Sequence, residues 1–583
     1  MVIEWIKIKG FRNFEDEVIN FSDKTLIIGS NDVGKTNMLY ALRLLFDKRL
    51  SDKDLELCNS DYNAYNRSTE IEITVRIKNI CEDCLRSIFG ADIKDDAVII
   101  KYTNSKNGEY SIWAGPSEDL IEEKTGRFYL KRLNLEYVDT NRDLISFIKK
   151  ERTKLLEASK KQLPDDLINQ DKEAIDGIQG DLNDLNKSID NLHYIKTSLD
   201  SVNQELGKLS IHNEGQVVKF VTNNGDVGEL LNNVELSYVT DEEVLTIGGD
   251  GRSNQIFLAM WVAKQKKLKN LECVTLFAIE EPEAHLHPHQ QRKLSKYLVE
   301  NFEEQIFITT HSPQIASEFR PNNIARLFSI NKITKAAQGG CSKDIALTFN
   351  EFGYRLNAIS SEVFFSNVVF LVEGPSEKIF YTALASRIGI DFDRLNATIL
   401  SVDGVGFKPY IKICKALDIP FVMRTDNDIF PKTKKGDKYH YFAGISRAMG
   451  IYDELISKGG SDELTIYWKE NKDGNEWQGD ISECPYETQI LISEIKAKLD
   501  AFNIFLSVSD LERDIVLTPL APSLKAFYNE TNDENLINLM QERKAENMLK
   551  YVSEKIDDLT CLSGEYIAAP LHRIVKLVEG VVH

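Results

Sequence analysis

The stretch Gly29-Ser30-Asn31-Asp32-Val33-Gly34-Lys35-Thr36 constrains this chain more than any other. It lies between the apolar run Lys24-Thr25-Leu26-Ile27-Ile28 and a segment from Asn37 to Phe46 whose apolar residues have helical spacing. Strand, glycine-rich turn and helix form the context that a phosphate-binding loop needs. The glycines let backbone N–H groups turn toward phosphate oxygens, with the positive end of the helix behind them. Lys35 is expected to reach the β- and γ-phosphates of a nucleotide and Thr36 to hold its Mg²⁺.

Two later strands complete that site. Val274-Thr275-Leu276-Phe277-Ala278-Ile279 ends in Glu280-Glu281-Pro282-Glu283, and Gln305-Ile306-Phe307-Ile308-Thr309-Thr310 ends at His311. Acids at the end of an apolar strand suit a Mg²⁺-water ligand, assigned to Glu280, and a base that activates water, assigned to Glu281. His311 would stand near the γ-phosphate. A charged helical segment separates the two halves of the site. Within it, apolar residues from Ile175 to Leu209 recur at steps of three and four, a heptad-like stripe. It is either one face of an intramolecular bundle or a coiled-coil arm.

Carboxylates gather again further along. Glu373-Gly374-Pro375-Ser376-Glu377 follows the apolar strand 368–372. A strand over 397–402 ends at Asp403-Gly404-Val405-Gly406. A helix follows to about Asp418, and a strand over 420–424 ends at Thr425-Asp426-Asn427-Asp428. This is the layout of a Toprim domain. Acids at adjacent strand ends converge on one edge of a parallel sheet. Hard oxygen ligands select Mg²⁺ or Mn²⁺, and two such ions can clamp the attacking and leaving oxygens of a phosphodiester. Asp510-Leu511-Glu512 follows another apolar run, and Lys544 lies in a polar segment expected to be helical over 541–550.

Composition limits the partners. The net charge of −20 excludes a charge-driven nucleic-acid coat, so any DNA path needs local cations. Lys432, Lys434, Lys435 and Lys438, just after Asp428, are the candidates. No apolar run approaches the ~20 residues that span a bilayer, so no membrane association is expected. Eight scattered cysteines suit the reducing cytoplasm, and Cys81 and Cys84 lack a second ligand pair for zinc. His285, His287 and His289 are spaced poorly for a metal and are expected to serve packing and the nucleotide loop.

The first half resembles the ABC-type heads of the SMC and OLD families. Their OLD branch carries Glu-Glu-Pro-Glu and then Leu-His, as in Glu280 to Glu283 and Leu286-His287. Gly248-Gly249-Asp250-Gly251-Arg252 looks like the family's signature loop, without its usual adjacent serine. With the Toprim half, nearly the whole chain resembles OLD-family ATP-dependent endonucleases, and within them the nuclease subunits of Gabija anti-phage systems. Phe11-Arg12-Asn13-Phe14-Glu15, Asn31-Asp32 and Gly34-Lys35-Thr36-Asn37 carry the likeness at the start.

The resemblance implies a particular set of roles. Gly29, Asn31, Gly34, Lys35, Thr36, Asn37, Glu280 and His311 would bind ATP with Mg²⁺. Glu373, Glu377, Asp426, Asp428 and Asp510 or Glu512 would hold two Mg²⁺ or Mn²⁺ ions. Lys544 would stabilise charge on the phosphate. Double-stranded DNA, a homo-oligomer (dimer or tetramer) and a UvrD-like helicase would be the partners. The expected architecture is α/β: an ABC/SMC-type ATPase head over 1–350, with a helical dimerisation insertion at about 143–240, then a Toprim nuclease domain over 351–583. Two rival readings are a non-catalytic SMC-like ATP-driven DNA clamp and a Toprim topoisomerase or primase.

Overall fold

Alternation of apolar and polar residues gives the N-terminus a strand with one buried face. β1 (Val2–Lys9) buries Ile3, Ile6 and Ile8 and pairs antiparallel with β2 (Asp16–Asn20). The computed structural model describes every residue except 66, 107–108, 141–143, 210–226, 228–236, 241–242, 247–250, 252, 255, 257–258, 262, 264–271, 342–360, 404–405, 435–436, 458–461, 482 and 583. β3 (Lys24–Ile28) leads into the glycine-rich loop, and α1 (Lys35–Phe46) follows it. β4 (Glu70–Lys78), β5 (Val98–Ser105), β6 (Tyr110–Gly115) and β7 (Glu122–Lys124) extend the first sheet, in the order β2-β1-β4-β5-β6-β7. Neighbouring strands are antiparallel throughout.

After β8 (Leu133–Val138), residues Thr140–Leu271 together with Ala284–Leu286 form a separate compact unit. Its described elements include α2 (Leu144–Lys161), α3 (Asp165–Asp190), α4 (His193–Leu209) and the hairpin β9 (Ser237–Thr240) with β10 (Glu243–Thr246). The unit is longer than the insertion expected at 143–240. The apolar stripe is also not one helix, because α3 ends at Asp190 and α4 begins at His193. Leu182 and Leu199 are buried, whereas Ile178, Leu185, Leu192 and Val202 are exposed, so the stripe is no continuous seam within the chain. Most of the proposed signature loop lies outside the described residues. Gly251 is described, and a Cβ there would meet the His285 carbonyl oxygen at 2.4 Å.

The second sheet is mostly parallel. β11 (Val274–Glu280), α5 (Pro288–Asn301), β12 (Ile306–Thr309), β13 (Ile324–Ile330) and β14 (Ile333–Ala336) complete it in the order β14-β13-β3-β12-β11-β8. Among the described strands of this sheet, only the β13–β14 pair is antiparallel. One core joins both sheets through α1, with Ile3, Ile73, Met38, Leu42, Leu135 and Ala278 in a single buried cluster.

The C-terminal part is a second parallel sheet. β15 (Val368–Val372), α6 (Pro375–Arg387), β16 (Ala397–Ser401), α7 (Lys408–Ala416) and β17 (Phe421–Thr425) follow the expected alternation. A small antiparallel sheet interrupts it, made of β18 (Ile429–Lys434), β19 (Asp437–Phe442) and, beyond α8 (Ala443–Ile451), β20 (Glu476–Trp477). β21 (Ile504–Leu506) then rejoins the parallel sheet, whose order is β16-β15-β17-β21. α9 (Leu511–Val516), α10 (Asp533–Glu542) and α11 (Lys544–Lys555) pack against it. Lys544 thus opens a helix; it does not sit within one, because the chain breaks at Arg543 (φ −141°).

The expected boundary near 350 lies outside the described residues. On either side of it, head and Toprim sheet belong to one compact unit. Buried Arg326 of β13 donates to the carbonyls of Leu417 (3.0 Å), Asp418 (3.3 Å) and Ser366 (3.1 Å). Burial lowers its pKa to about 10, so the guanidinium stays charged at neutral pH and its bonds to these carbonyls are charge-assisted. No described helix is long and apolar enough to cross a membrane.

Candidate functional site

Parallel register brings the nucleotide residues to one edge. Glu280 lies beside Thr309 and Thr309 beside Ile27, so β11, β12 and β3 end together. The loop after β3 turns on Gly34, whose φ is 107°. That positive φ favours glycine, and a Cβ at Gly34 would also come within 2.4 Å of Asn13 Nδ2. A cavity of about 580 Å³ opens over the loop. Asn31, Gly34, Lys35, Thr36, Asn37, Glu281 and His311 line it, joined by Arg12, Asn13, Tyr62 and Tyr65.

The pocket brings cations and carboxylates side by side. Lys35 Nζ donates to the carbonyls of Gly29 (3.0 Å) and Ser30 (2.8 Å). Burial pulls its pKa down to about 8, against the opposing pull of Glu281 and Glu280. His311 Nε2 lies 3.3 Å from Glu281 Oε1, and burial followed by the Lys35 charge holds its pKa below the usual value. Glu280 is buried at the end of its strand, and the Tyr137 hydroxyl bonds to it. Glu283 accepts from Thr310 Oγ1 (2.5 Å) and the His311 N–H (2.9 Å), which fixes the turn carrying the histidine. Asn37, in the first turn of α1, accepts from Arg12 (2.7 Å) and donates to Asn13 (2.8 Å). Arg12 is itself held by Asp61 (2.9 Å) and stacked over Tyr40 (4.6 Å).

The second site stands on the other parallel sheet. β17 pairs with β15 on one side and β21 on the other, so Glu373, Asp426 and Asp510 follow three neighbouring strands. Glu373 Oε1 accepts from the Asp426 N–H (3.0 Å), the Thr425 hydroxyl and Arg447 Nη1. Glu377 is buried on the first turn of α6 and accepts from the Gly374 N–H (3.1 Å). Asp426 is buried, with Ser507 Oγ at 3.2 Å, Arg424 Nη1 at 3.9 Å and Lys544 Nζ at 4.0 Å. Asp428 faces Arg447 Nη2 at 3.9 Å. Asp510 caps α9 through the Arg513 N–H (2.8 Å) and accepts from Gln541 (2.5 Å). Glu512, buried, accepts from Ser376 Oγ (3.3 Å) and lies 3.2 Å from Lys544 Nζ.

Electrostatics here run opposite to the first pocket. Burial, with Glu377 and Glu373 nearby, pushes Asp426 up to about 8 despite Arg424. Burial raises Glu377 and Asp428 as well. For Lys544, burial would lower the pKa, but Glu512 and Asp426 outweigh it and raise it. Among the described residues, no three Asp, Glu, His or Cys side chains stand close enough to hold one ion. The protein's own cations, Arg447 and Lys544, lie among the acids instead. The donor set nonetheless fits a hard divalent ion: the candidate donors are carboxylate oxygens, and burial raises the pKa of Glu377, Asp426 and Asp428. In the head, Thr36 and Glu280 offer the same chemistry beside the phosphate loop.

The structure places Asp426 and Glu512 beside Lys544, Glu373 on the Asp426 N–H, Glu377, Asp428 and Asp510 along the same edge, and the loop residues with Glu281 and His311. It also supplies partners that motif reading passed over. Ser376 stood in plain view inside Glu-Gly-Pro-Ser-Glu, and Arg12 and Asn13 inside the first turn. Arg447 and Ser507 carry no sequence signal; α8 and the end of β21 deliver them. His287 caps α5 with Gln290 (3.2 Å) and His289 bonds Arg292 (2.7 Å), each engaged separately. Lys432 pairs with Glu476 at 2.8 Å, and Lys435 lies outside the described residues.

A phosphate-loop ATPase domain packed against a parallel sheet with an acidic edge defines an ATP-binding Toprim nuclease. Residues 24–317 match the family described as "AAA domain, putative AbiEii toxin, Type IV TA system", and residues 364–428 match "Overcoming lysogenization defect protein-like, TOPRIM domain". The chain belongs to that AAA-domain family, and the OLD-like Toprim match adds a second, shorter likeness. It is 27% identical over 591 residues to "Endonuclease GajA" of Bacillus cereus (strain VD045), covering 94% of both chains. It is 24% identical over 456 residues to "OLD nuclease" of Thermus scotoductus, covering 75% of this chain and 84% of that one. A shorter stretch, 27% of this chain and 28% of the other, is 30% identical to "Old nuclease" of Escherichia phage P2.

Proposed function

We propose that this protein is a nucleotide-regulated, metal-dependent DNA endonuclease of bacterial anti-phage defence, cutting phosphodiester bonds by hydrolysis at the Toprim acids. The observation that carries this reading is the convergence of Glu373, Asp426, Asp510 and Glu512 on one sheet edge with Lys544 beside them. Mg²⁺ or Mn²⁺ held by Glu373, Asp426 and Asp428, with Glu377, Asp510 and Glu512 as further oxygen donors, would polarise the scissile phosphate. Lys544 places an ammonium against the developing charge on that phosphate, and Ser376 and Ser507 hold Glu512 and Asp426 in orientation. In the head, Lys35 exchanges its loop carbonyls for the β- and γ-phosphates of ATP, while Thr36 and Glu280 would hold the accompanying Mg²⁺. Glu281, aligned by His311, is placed to orient a water.

The same reading makes the protein a cytoplasmic homo-oligomer, a dimer or tetramer. Exposed Leu185 on α3 and Leu192 in the turn before α4 support it. By family likeness, its partners are double-stranded DNA and a UvrD-like helicase. Supercoiled plasmid incubated with Mg²⁺ or Mn²⁺ across ATP concentrations tests the core of the reading. Nicked or linear products that depend on the metal support it. Relaxed closed circles would mean a topoisomerase, and intact supercoils a clamp.

A further inference from the structure

β18 starts at the residue after Asp428, so the small sheet grows directly out of the acidic edge. In its ladder Ile429 pairs with Phe442, Phe430 with Tyr441, Pro431 with His440 and Lys432 with Tyr439. Side chains alternate along a strand, so Phe430, Tyr441, Lys432 and Tyr439 share one face. The opposite face is partly spent on packing, with Pro431 and Thr433 exposed. His440 and Phe442 lie against buried Trp477, with ring centroids 5.9 Å and 5.4 Å away. The first face is open: Phe430 is 48% exposed, and Lys432 is exposed with its ammonium 5.8 Å from the Tyr441 ring. Glu476 lies beside Tyr441 in the ladder and pairs with Lys432.

We propose that this face is a stacking platform for unpaired bases of the DNA strand whose phosphate lies at the Toprim acids. The inference rests on the nuclease reading and names its substrate more narrowly, as DNA that is single-stranded or locally open beside the cut. Aromatic faces hold bases without needing net positive charge, which suits a chain of net charge −20. Bases inside a duplex are already covered by their neighbours, so an exposed ring gains only where pairing and stacking are broken. Phe430 stands two residues from Asp428, about 7 Å along a strand, or roughly two base rises of stacked DNA. The platform therefore meets a base adjacent to the reacting phosphate. Lys432 provides the accompanying charge by exchanging Glu476 for a backbone phosphate.

The test uses the full-length protein without divalent metal, a short single-stranded oligonucleotide and its blunt duplex. Phe430→Ala should weaken single-strand binding roughly 5- to 100-fold and leave duplex binding unchanged, with Phe430→Trp restoring the wild-type value. Because Phe430 is exposed, both variants should keep the wild-type melting temperature. Equal losses on both probes, no loss on either, or no binding of the single strand by the wild type would overturn the platform. So would a drop in particle mass for Phe430→Ala in light scattering, since the face would then be a contact between copies. Plasmid cleavage by the wild type is measured alongside. Its absence refutes the nuclease reading itself, whereas cleavage with unaltered oligonucleotide affinities refutes only the platform.

Discussion

The phosphate loop and the Toprim edge each hold a lysine near several acids, yet their electrostatic deficits are opposite. Lys35 is buried against backbone carbonyls, and desolvation outweighs the acids and lowers its pKa to about 8. Lys544 sits on the first turn of a helix beside Glu512 and Asp426, and there the acids outweigh desolvation. The first site has a cation in need of an anion. The second has more carboxylate than its own cations satisfy, with Asp426 held at about 8. The opposite directions of the two lysine shifts suit ligands of opposite sign, an anion in the head and a cation on the Toprim sheet. Readiness differs too. The cavity over the phosphate loop is open, whereas Arg447 and Lys544 already pair with Glu373 and Glu512.

The largest expected effect tests whether the two sites are separable. Glu373→Ala or Asp426→Ala should abolish plasmid cleavage while nucleotide affinity stays at the wild-type level, since the nucleotide pocket includes neither residue. Full cleavage by both variants would remove the Toprim assignment. Loss of nucleotide binding in either would show that the two deficits are coupled. The converse substitution, Lys35→Ala, should raise the nucleotide dissociation constant roughly 10- to 100-fold by deleting a charge-assisted bond to phosphate. It should leave basal cleavage in place but unresponsive to ATP. A variant that still answers to ATP would place regulation elsewhere.

The two regions also differ in how much of them could be read from residues alone. The loop from Gly29 to Thr36, its flanking strand and helix, and the acids after β11, β15 and β17 were legible because each motif is local and its chemistry demands a fixed context. What escaped reading came from packing between distant segments. Arg447 reaches Glu373 from 74 residues away only because α8 lies against that edge. The chain break before Lys544 occurs at Arg543, with no glycine or proline to announce it. The stripe from Ile175 to Leu209 obeyed helical spacing across its whole length. Spacing cannot show that one helix stops at Asp190 while His193 starts another.

The smallest effect is the most direct measure of the opposed deficits. Lys35 must carry its proton to meet phosphate, and its pKa in the free pocket is about 8. Bound phosphate raises that pKa, so nucleotide affinity should be flat below pH 8 and then fall by about tenfold per pH unit above it. Asp426 must lose its proton to meet a metal, and its free value is also about 8. Mn²⁺ affinity should therefore rise by up to about tenfold per pH unit as the solution approaches pH 8, then level off. The proton is released on metal binding in one site and retained on nucleotide binding in the other. Calorimetric titrations of Mn²⁺ and of ATP over that range, in buffers of different ionisation enthalpy, read both slopes and both proton counts. Lys35→Ala should flatten only the nucleotide curve, and Asp426→Asn only the metal curve. Slopes of the same sign would mean that one of the two lysine–acid arrangements is misjudged, and the variant that fails to flatten its own curve would identify which.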